Sequence, residues 1–428
     1  MTIKYTEEDR CRFCHSELSR VVLDLGELHP SNFISKDSNG STKVPLTVVE
    51  CDECGLVQLK HTVDRDELYR QYWYQSGLNK SMVDSLENVV HEAECYLNDM
   101  SCGTLDGMVV VDIGANDGTM LRMFPEGVYT VGFDPAKNLR EIAEGNCDVF
   151  VNDFFTADAY NSIKLGMPKA KVVTAIAMFY DLGDITPFIK DVESIMADDG
   201  VFIVQFTDLA TTLKINAVDN ICHEHLEYFT LDMMSYILST VGLKLVNVSY
   251  NDVNGGSIRA TYAKEDCYFY DDAHDNRDTV IKALWDEREF LKTDSLEKLG
   301  ERLYDIQTEL LHRINYHKEM GDTVAVMGAS TKGNTLLQYF GIDSHYIDHA
   351  AEINPEKFGL KTIGTNIPII PEEESLKRNP ACYLVLPWHF IDGFVKNNME
   401  YLKGGGEFLI PLPQPKTYSY SDRSIHID

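Results

Sequence analysis

Apolar residues run without a break through Val109, Val110 and Val111, and the chain then changes abruptly to aspartate, glycine and asparagine in the stretch VVVDIGANDG, residues 109–118. An apolar run with no polar alternation reads as a strand covered on both faces. Gly114 and Gly118 permit close backbone approach in the turn that follows, and a helix is predicted to begin near Thr119. Further apolar runs occur at residues 129–133, 149–154, 171–177 and 200–206, the last preceded by a helix predicted over 187–197. Alternating strands and helices of this kind predict a doubly wound α/β sheet. Runs at 243–250 and 256–263 predict an antiparallel pair closing that unit. From 271 to 317 the pattern turns charged and helical, with Leu284, Phe290, Leu291, Leu296, Leu299, Leu303, Ile306 and Leu310 recurring at three- and four-residue steps, which predicts two bridging helices. A second strand, loop and helix follow at 324–334, and strands predicted at 381–386 and 407–410 complete another α/β unit. The first 75 residues hold only short apolar runs, at 21–25 and 46–50, too little for a large core of their own.

These patterns predict three units: residues 1–75, 76–265 and 266–428. A chain of 428 residues, 44% hydrophobic and 10% aromatic, has enough apolar side chains for packed cores in a multidomain protein. The formal net charge of −30 argues against nucleic acid and against anionic membrane surfaces, because both require a basic footprint. Residues 1–10 contain no apolar signal core, and no apolar run approaches the length of a membrane span, so the expected location is the cytoplasm. Monomer and homodimer both remain open.

Of ten cysteines, four form two C-x-x-C pairs, Cys11 with Cys14 and Cys51 with Cys54. The other six are scattered singly, so the expected protein is reduced and carries one metal site. Four thiolates suit a tetrahedral zinc ion and leave no open position for chemistry, which makes the expected zinc structural. A pair of redox dithiols would instead place a helix after Cys11, whereas Arg12-Phe13 and Asp52-Glu53 with Gly55 read as ribbon turns.

The glycine turn after Val111 points to a nucleotide-type cofactor. A dinucleotide fingerprint needs glycine at 114, 116 and 119, and this chain supplies only the first. The form with Asp112 ahead of Gly114 and Gly118, and Asn116 in place of a middle glycine, resembles the first motif of class I S-adenosylmethionine methyltransferases. Twenty residues past Gly114, Asp134 ends a predicted strand where a carboxylate can accept both ribose hydroxyls. Nineteen residues further on, Asp153 is placed to accept from an adenine amino group while Phe154 flanks the ring. Either acid alone is equally an ordinary turn residue; their register after the loop favours the ligand reading.

The second glycine-containing loop, GASTKGNT at 328–335, is not a phosphate loop of the Walker type, because Lys332 precedes Gly333. Small residues and a lysine at a helix start still favour a phosphate, the alternative being a plain doubly wound unit with a surface lysine. Between the two units lies the densest acid–base cluster, DNICHEHLEY at 219–228. His223 and His225 are two apart and cannot share one helix face. An extended segment could still turn them to a metal, and a structural histidine pair is a further alternative. The catalytic reading is that one imidazole removes a proton while a neighbouring carboxylate fixes its tautomer.

Taken together, the four cysteines, YQSGLN at 74–79, DIGANDG, the HEH segment, NGGSIR at 254–259, GASTKGNT and NPEK at 354–357 resemble, over essentially the full length, the C-methyltransferases of nucleotide-linked 4-keto deoxysugars. The resemblance implies a zinc-bearing first domain, a middle domain that binds S-adenosylmethionine, and a C-terminal domain that receives the nucleotide sugar. It implies His225 as general base with Glu224 and His223 lining the same pocket, Tyr74 on the cofactor side, and Asn254, Arg259, Ser330, Lys332 and Lys357 on the substrate side. The implied chemistry is an enolate, stabilised by preorganised donors, that attacks the sulfonium methyl. Many relatives place Tyr where Cys222 stands and His within the stretch MFYDL, residues 178–182. Tyr180 is the expected replacement donor, and Cys222 reads as a small packed side chain. These departures leave open another sugar, another methylated carbon, transfer to oxygen, or binding without turnover.

Overall fold

The computed structural model describes residues 3–428 apart from 39, 41, 71, 102, 164–165, 268–275 and the side chain of Asn254. The expected role of Asn254 therefore lies outside the described residues.

Val109–Ile113 is an inner strand of a seven-stranded sheet, and Val109, Val110 and Val111 are fully buried, as a run without polar alternation requires. Tyr129–Phe133 and then Val149–Val151 lie to one side, and Ala170–Ile176 and Met196–Phe206 to the other, all parallel. Ser257–Lys264 adds antiparallel to Met196–Phe206, and Leu243–Asn251 closes the edge antiparallel to it. This is the class I methyltransferase arrangement. Chain order reverses direction at Val109–Ile113, which opens a crevice at the carboxyl ends of the strands, beside the glycine turn.

One local expectation fails. No α-helix starts at Thr119; the chain makes turns and a single 3-10 turn, Leu121–Met123. Phe124 is already extended, because the residue before Pro125 is driven out of the helical region.

The N-terminal unit is an antiparallel sheet of Arg20–Leu28, Val44–Glu50 and Val57–Leu59, and its fourth strand is Glu227–Tyr228 from the HEH segment. Phe33–Ile34 pairs with Lys361–Thr362 of the C-terminal unit. The first 75 residues are thus stitched by backbone hydrogen bonds to both other units, which covers edges that a small sheet would otherwise expose. Their apolar side chains share one core with the C-terminal unit, where Leu46 and Val48 join Leu299, Leu303 and Val326.

The C-terminal sheet also has seven strands. Ile369–Pro371, Ala350–Glu352, Val324–Met327, Cys382–Val385 and Glu407–Ile410 are parallel, and the hairpin of Lys416–Ser421 and Ser424–Ile427 extends it antiparallel. Helices Arg277–Leu291 and Leu296–Glu319 link the two large sheets. After Val324–Met327 the chain turns at Gly328 into helix Thr331–Phe340, whose first turn is capped by Ser330 Oγ accepting from the Gly333 N–H at 2.9 Å. Among the described residues no helix is long and apolar enough to cross a membrane.

Candidate active site

The carboxyl ends of the two large sheets face one cavity of about 1720 Å³, with residues from 62–70 and 72–82 along its side. On the methyltransferase side, Gly114 (φ +78°) leaves no room for a side chain: a Cβ there would lie 2.9 Å from the Met178 side chain. Asn116 takes the left-handed region (φ +53°), which asparagine tolerates better than most residues, and this accounts for asparagine at the middle position. Its side chain accepts from Ser76 N at 3.0 Å and donates to the Tyr74 carbonyl at 3.1 Å, while Asp117 accepts from Gly77 N at 2.8 Å. The YQSGLN segment is therefore a clasp over the glycine turn, and Tyr74 lines the cavity. Gly118 does not line it. Its open side faces Ala143 and Asn146 behind the loop, where a Cβ would come within 2.8 Å of Asn146.

Asp134 lines the cavity with both oxygens already engaged, Oδ2 by the Asn116 N–H and Oδ1 by the Ala136 N–H, each at 2.8 Å. Burial pushes this carboxyl up to about 6 against those two donors, and its remaining lone pairs are free for hydroxyls. Asp112, beneath the turn, accepts from Thr174 Oγ1 at 2.7 Å and is raised to about 7 by burial. Asp153 is exposed and paired with Arg70 at 3.1 Å, and the Phe154 ring lies under the guanidinium of Arg65, 4.1 Å from its centroid. The two arginines of the N-terminal unit were not legible as site residues, since nothing in their spacing marks them.

His225 lines the cavity, and its Nδ1 donates to the backbone carbonyl of Asn220 at 2.7 Å. The tautomer is thus set by a carbonyl and not by the carboxylate expected from the sequence, and Nε2 remains as the unprotonated nitrogen. Burial, then the Lys332 cation, holds this imidazole down to about 3, so it is neutral. The Tyr180 ring packs on it at 4.4 Å. Glu224 also lines the cavity and is raised by burial to about 7, with Lys332 opposing. His223 does not line the cavity. It is turned into the N-terminal sheet, where its Nε2 meets the Val44 carbonyl at 2.9 Å, because the segment is a turn here and its side chains diverge.

The sequence reading missed Asp181 and Tyr69. Asp181 lines the cavity, is held far above the usual carboxylate range by burial and by Glu224, and has an Oδ1 without a hydrogen-bond partner. Tyr69 donates to the Glu224 carbonyl at 2.8 Å. The only sequence signal for Asp181 was its place in the divergent MFYDL stretch. Cys222 is buried with its thiol raised by burial, as a packed side chain should be.

On the far wall, Lys332 Nζ donates to Asn220 Oδ1 at 2.7 Å, and Ser330 lines the cavity beside it. Lys357 also lines the cavity, with its ammonium shared between Glu352, at 2.9 Å, and the Ala329 carbonyl, at 2.9 Å. Arg259 lies outside. It sits opposite Gln205 in the register of Ser257–Lys264, bonds Gln205 Oε1 at 3.0 Å and pairs with Glu92 at 3.2 Å, so the expected phosphate contact is replaced by a structural one.

C-methyltransferase NovU of Streptomyces niveus is 30% identical over 419 residues, covering 96% of this chain and 97% of that protein. The chain belongs to the C-methyltransferase family. Family models described as a putative zinc binding domain, a methyltransferase domain and a C-methyltransferase C-terminal domain match residues 11–69, 88–248 and 252–413. Among solved structures, magnesium protoporphyrin IX methyltransferase of Synechocystis PCC 6803, with bound S-adenosylmethionine, aligns at 14% identity and TM-score 0.31, covering 42% of this chain and 79% of its own. An S-adenosylmethionine-dependent methyltransferase of Clostridium acetobutylicum ATCC 824 aligns at 10% identity and TM-score 0.32, covering 42% and 91%.

In this C-methyltransferase the four N-terminal sulfurs lie within 4.8 Å of one another, with Cys11 to Cys54 at 3.7 Å and Cys14 to Cys51 at 3.5 Å. A tetrahedral zinc with bonds of about 2.3 Å has sulfur edges of about 3.8 Å, so the cluster fits the ion. Gln58 Nε2 donates to Cys11 Sγ at 3.2 Å, an outer contact that orients a ligand. None of the four cysteines lines the cavity, which places zinc in support of the fold. Gly255 (φ +89°) brings the turn after Leu243–Asn251 against Trp388, to which a Cβ would approach within 3.0 Å. That hairpin is a docking point between units.

Proposed function

We propose that this C-methyltransferase moves a methyl group from S-adenosylmethionine to the carbon beside the ketone of a nucleotide-diphosphate-linked keto-deoxysugar, with His225 as general base. The observation that carries the reading is the Asn220–His225 hydrogen bond, which leaves Nε2 neutral on a cavity between a methyltransferase glycine turn and a lysine-bearing helix start.

In this reading Asp134 accepts from the donor's ribose, Asp153 and Phe154 flank its adenine, and Tyr74 closes over it. Asp112, Gly114 and Asn116 shape the turn that receives it. When bound, S-adenosylmethionine supplies an electrophilic methyl on a positively charged sulfur. The N-terminus of Thr331–Phe340, Ser330 and Lys332 face the diphosphate. His225 Nε2 takes the proton from the carbon beside the ketone, and the new carbon–methyl bond forms as the carbon–sulfur bond breaks. An imidazole cannot ionise such a carbon unaided, so the enolate oxygen needs donors in place before it forms. Glu224, raised by burial to about 7 so that a substantial share of it carries a proton at neutral pH, and the Tyr180 hydroxyl fill that role. Closing the cavity between two sheets excludes water and aligns both substrates.

The test is mass spectrometry of the full chain with S-adenosylmethionine and paired keto and alcohol forms of nucleotide-linked deoxysugars in deuterated water. Methylation of the keto form alone, with His225-dependent deuterium entry beside the ketone, is expected. Methylation of the alcohol form would replace this reading with transfer to oxygen.

A further inference from the structure

The short turn Val218–Asn220 belongs to the methyltransferase unit, yet the C-terminal unit holds it at two points. Trp388 Nε1 donates to Asp219 Oδ2 at 3.0 Å, and Lys332 Nζ donates to Asn220 Oδ1 at 2.7 Å. The same Asn220 presents its backbone carbonyl to His225 Nδ1 at 2.7 Å. One buried residue thus has its side chain on the cation of the phosphate side and its main chain on the base, and no other hydrogen bond of Lys332 is seen among the described residues. An ammonium carries three donors, so Lys332 can keep Asn220 and still take an anion from the cavity it lines.

We propose that Asn220 is a positioning residue that couples Lys332 to His225, so that an anionic phosphate arriving at Lys332 raises the basicity of His225 and prepares the base only when a phosphate-linked substrate is bound. The proposal deepens the function proposed above and rests on it for the identity of the anion. The sign follows from charge. An uncompensated cation near an imidazole disfavours its protonation, and an anion on that cation removes the penalty. Tyr180 packs its ring on His225 from the turn after Ala170–Ile176, the Cys222 carbonyl accepts from the His225 N–H at 3.1 Å, and Asp181, Asp219, Glu224 and His389 line the same cavity. Among the described residues Lys332 is the one charge that acts on the His225 imidazole, so it is the charge that an anion can switch. Free keto sugars lack that anion, and the device would discriminate against them at the proton-transfer step as well as at binding.

The experiment titrates His225 by NMR in the full chain carrying isotope-labelled histidine, assigned with His225→Gln, with and without saturating inorganic pyrophosphate. Pyrophosphate is expected to raise the proton affinity of His225 on the order of tenfold, with burial still holding it below the ordinary imidazole range. Lys332→Gln should raise it without pyrophosphate. Asn220→Asp, nearly isosteric and placing a carboxylate against the ammonium, should do the same and leave pyrophosphate little to add. Absence of pyrophosphate binding, binding that leaves His225 unmoved, or unchanged His225 in both variants overturns the proposal. Because this readout needs neither sugar nor methyl transfer, coupling observed without turnover on any keto sugar would sink the proposed substrate alone, and turnover without coupling would sink this inference alone.

Discussion

Arg12 and Glu227 form an ion pair with Nε to Oε1 at 3.7 Å, and their side chains are 2% and 0% exposed. Arg12 sits between the cysteines of the first knuckle, and Glu227 opens the strand that follows HEH. The pair ties the zinc unit to the segment that carries His225. Burial raises the Glu227 carboxyl well above its usual range, with Arg12 opposing, so the strand depends on its partner.

Removing Arg12 should therefore destabilise the chain far more than a surface arginine would. For Arg12→Met the expected loss is about 3–5 kcal/mol, because Glu227 loses its partner and the buried Gln58 and Leu59 oxygens and the Thr62 hydroxyl lose the donor they share, and the double variant Arg12→Met with Glu227→Leu should recover the Glu227 part. Denaturant unfolding of the two variants checks this. A double variant no more stable than Arg12→Met would count against the pair.

Zinc removal should act through the same route. Cys11→Ser with Cys54→Ser is expected to lower metal content, lower the Tm and loosen the Glu227–Tyr228 strand, with activity lost as a consequence of unfolding in that region. Metal analysis with hydrogen exchange at residues 57–59 and 227–228 reads it out. Full protection of those amides in a zinc-free chain would contradict a supporting role.

His225→Gln preserves the shape of the site but removes the base. Turnover is expected to fall about 10²–10⁴-fold while S-adenosylmethionine affinity, measured by calorimetry, stays within a few-fold. A comparable loss of donor affinity would mean that His225 belongs to the donor site.

Asp134→Asn should show the opposite split. The amide offers one oxygen where two backbone N–H groups now bond a carboxylate, so donor affinity is expected to drop by about 1.5–3 kcal/mol, together with a lower Tm. Calorimetry with S-adenosylmethionine distinguishes this from a change in kcat alone.

His317 supplies a pH dependence remote from the cavity. The Cys382 sulfur, Glu407 and Asp322 raise it to about 11, overcoming burial. A raised folded-state value means its stabilisation is complete below the unfolded value near 6.5 and is lost as pH rises toward 11. His317→Gln is expected to destabilise most near pH 6, with the gap from the parent narrowing steadily in alkaline buffer. Denaturation series at several pH values test it, and a gap that is independent of pH would refute the assignment.

Residues read correctly from the sequence were those whose chemistry is local. Val109 to Val111 announce a strand covered on both faces because no polar side chain interrupts them, and Gly114 announces a turn because its backbone region excludes side chains. The cysteine spacing carries the metal cluster, since two C-x-x-C turns bring four sulfurs within reach of one ion. The position of Asp134 directly after a strand followed from strand periodicity. The helix placed at Thr119 failed for a local reason that was readable, the proline at 125.

What the tertiary structure alone decided is which polar side chain meets the cavity. His223 and His225 are two residues apart in a turn with no repeating geometry, so only the docking of Val44 against one and Asn220 against the other separates an imidazole turned into the sheet from one that lines the cavity. Arg259 was equally plausible for phosphate until Glu92, 167 residues away, claimed it, and Asp181 and Tyr69 became site residues only because distant elements enclose them. Sequence patterns record short-range backbone preference and metal spacing; direction, partner and charge state depend on contacts between residues far apart in the chain.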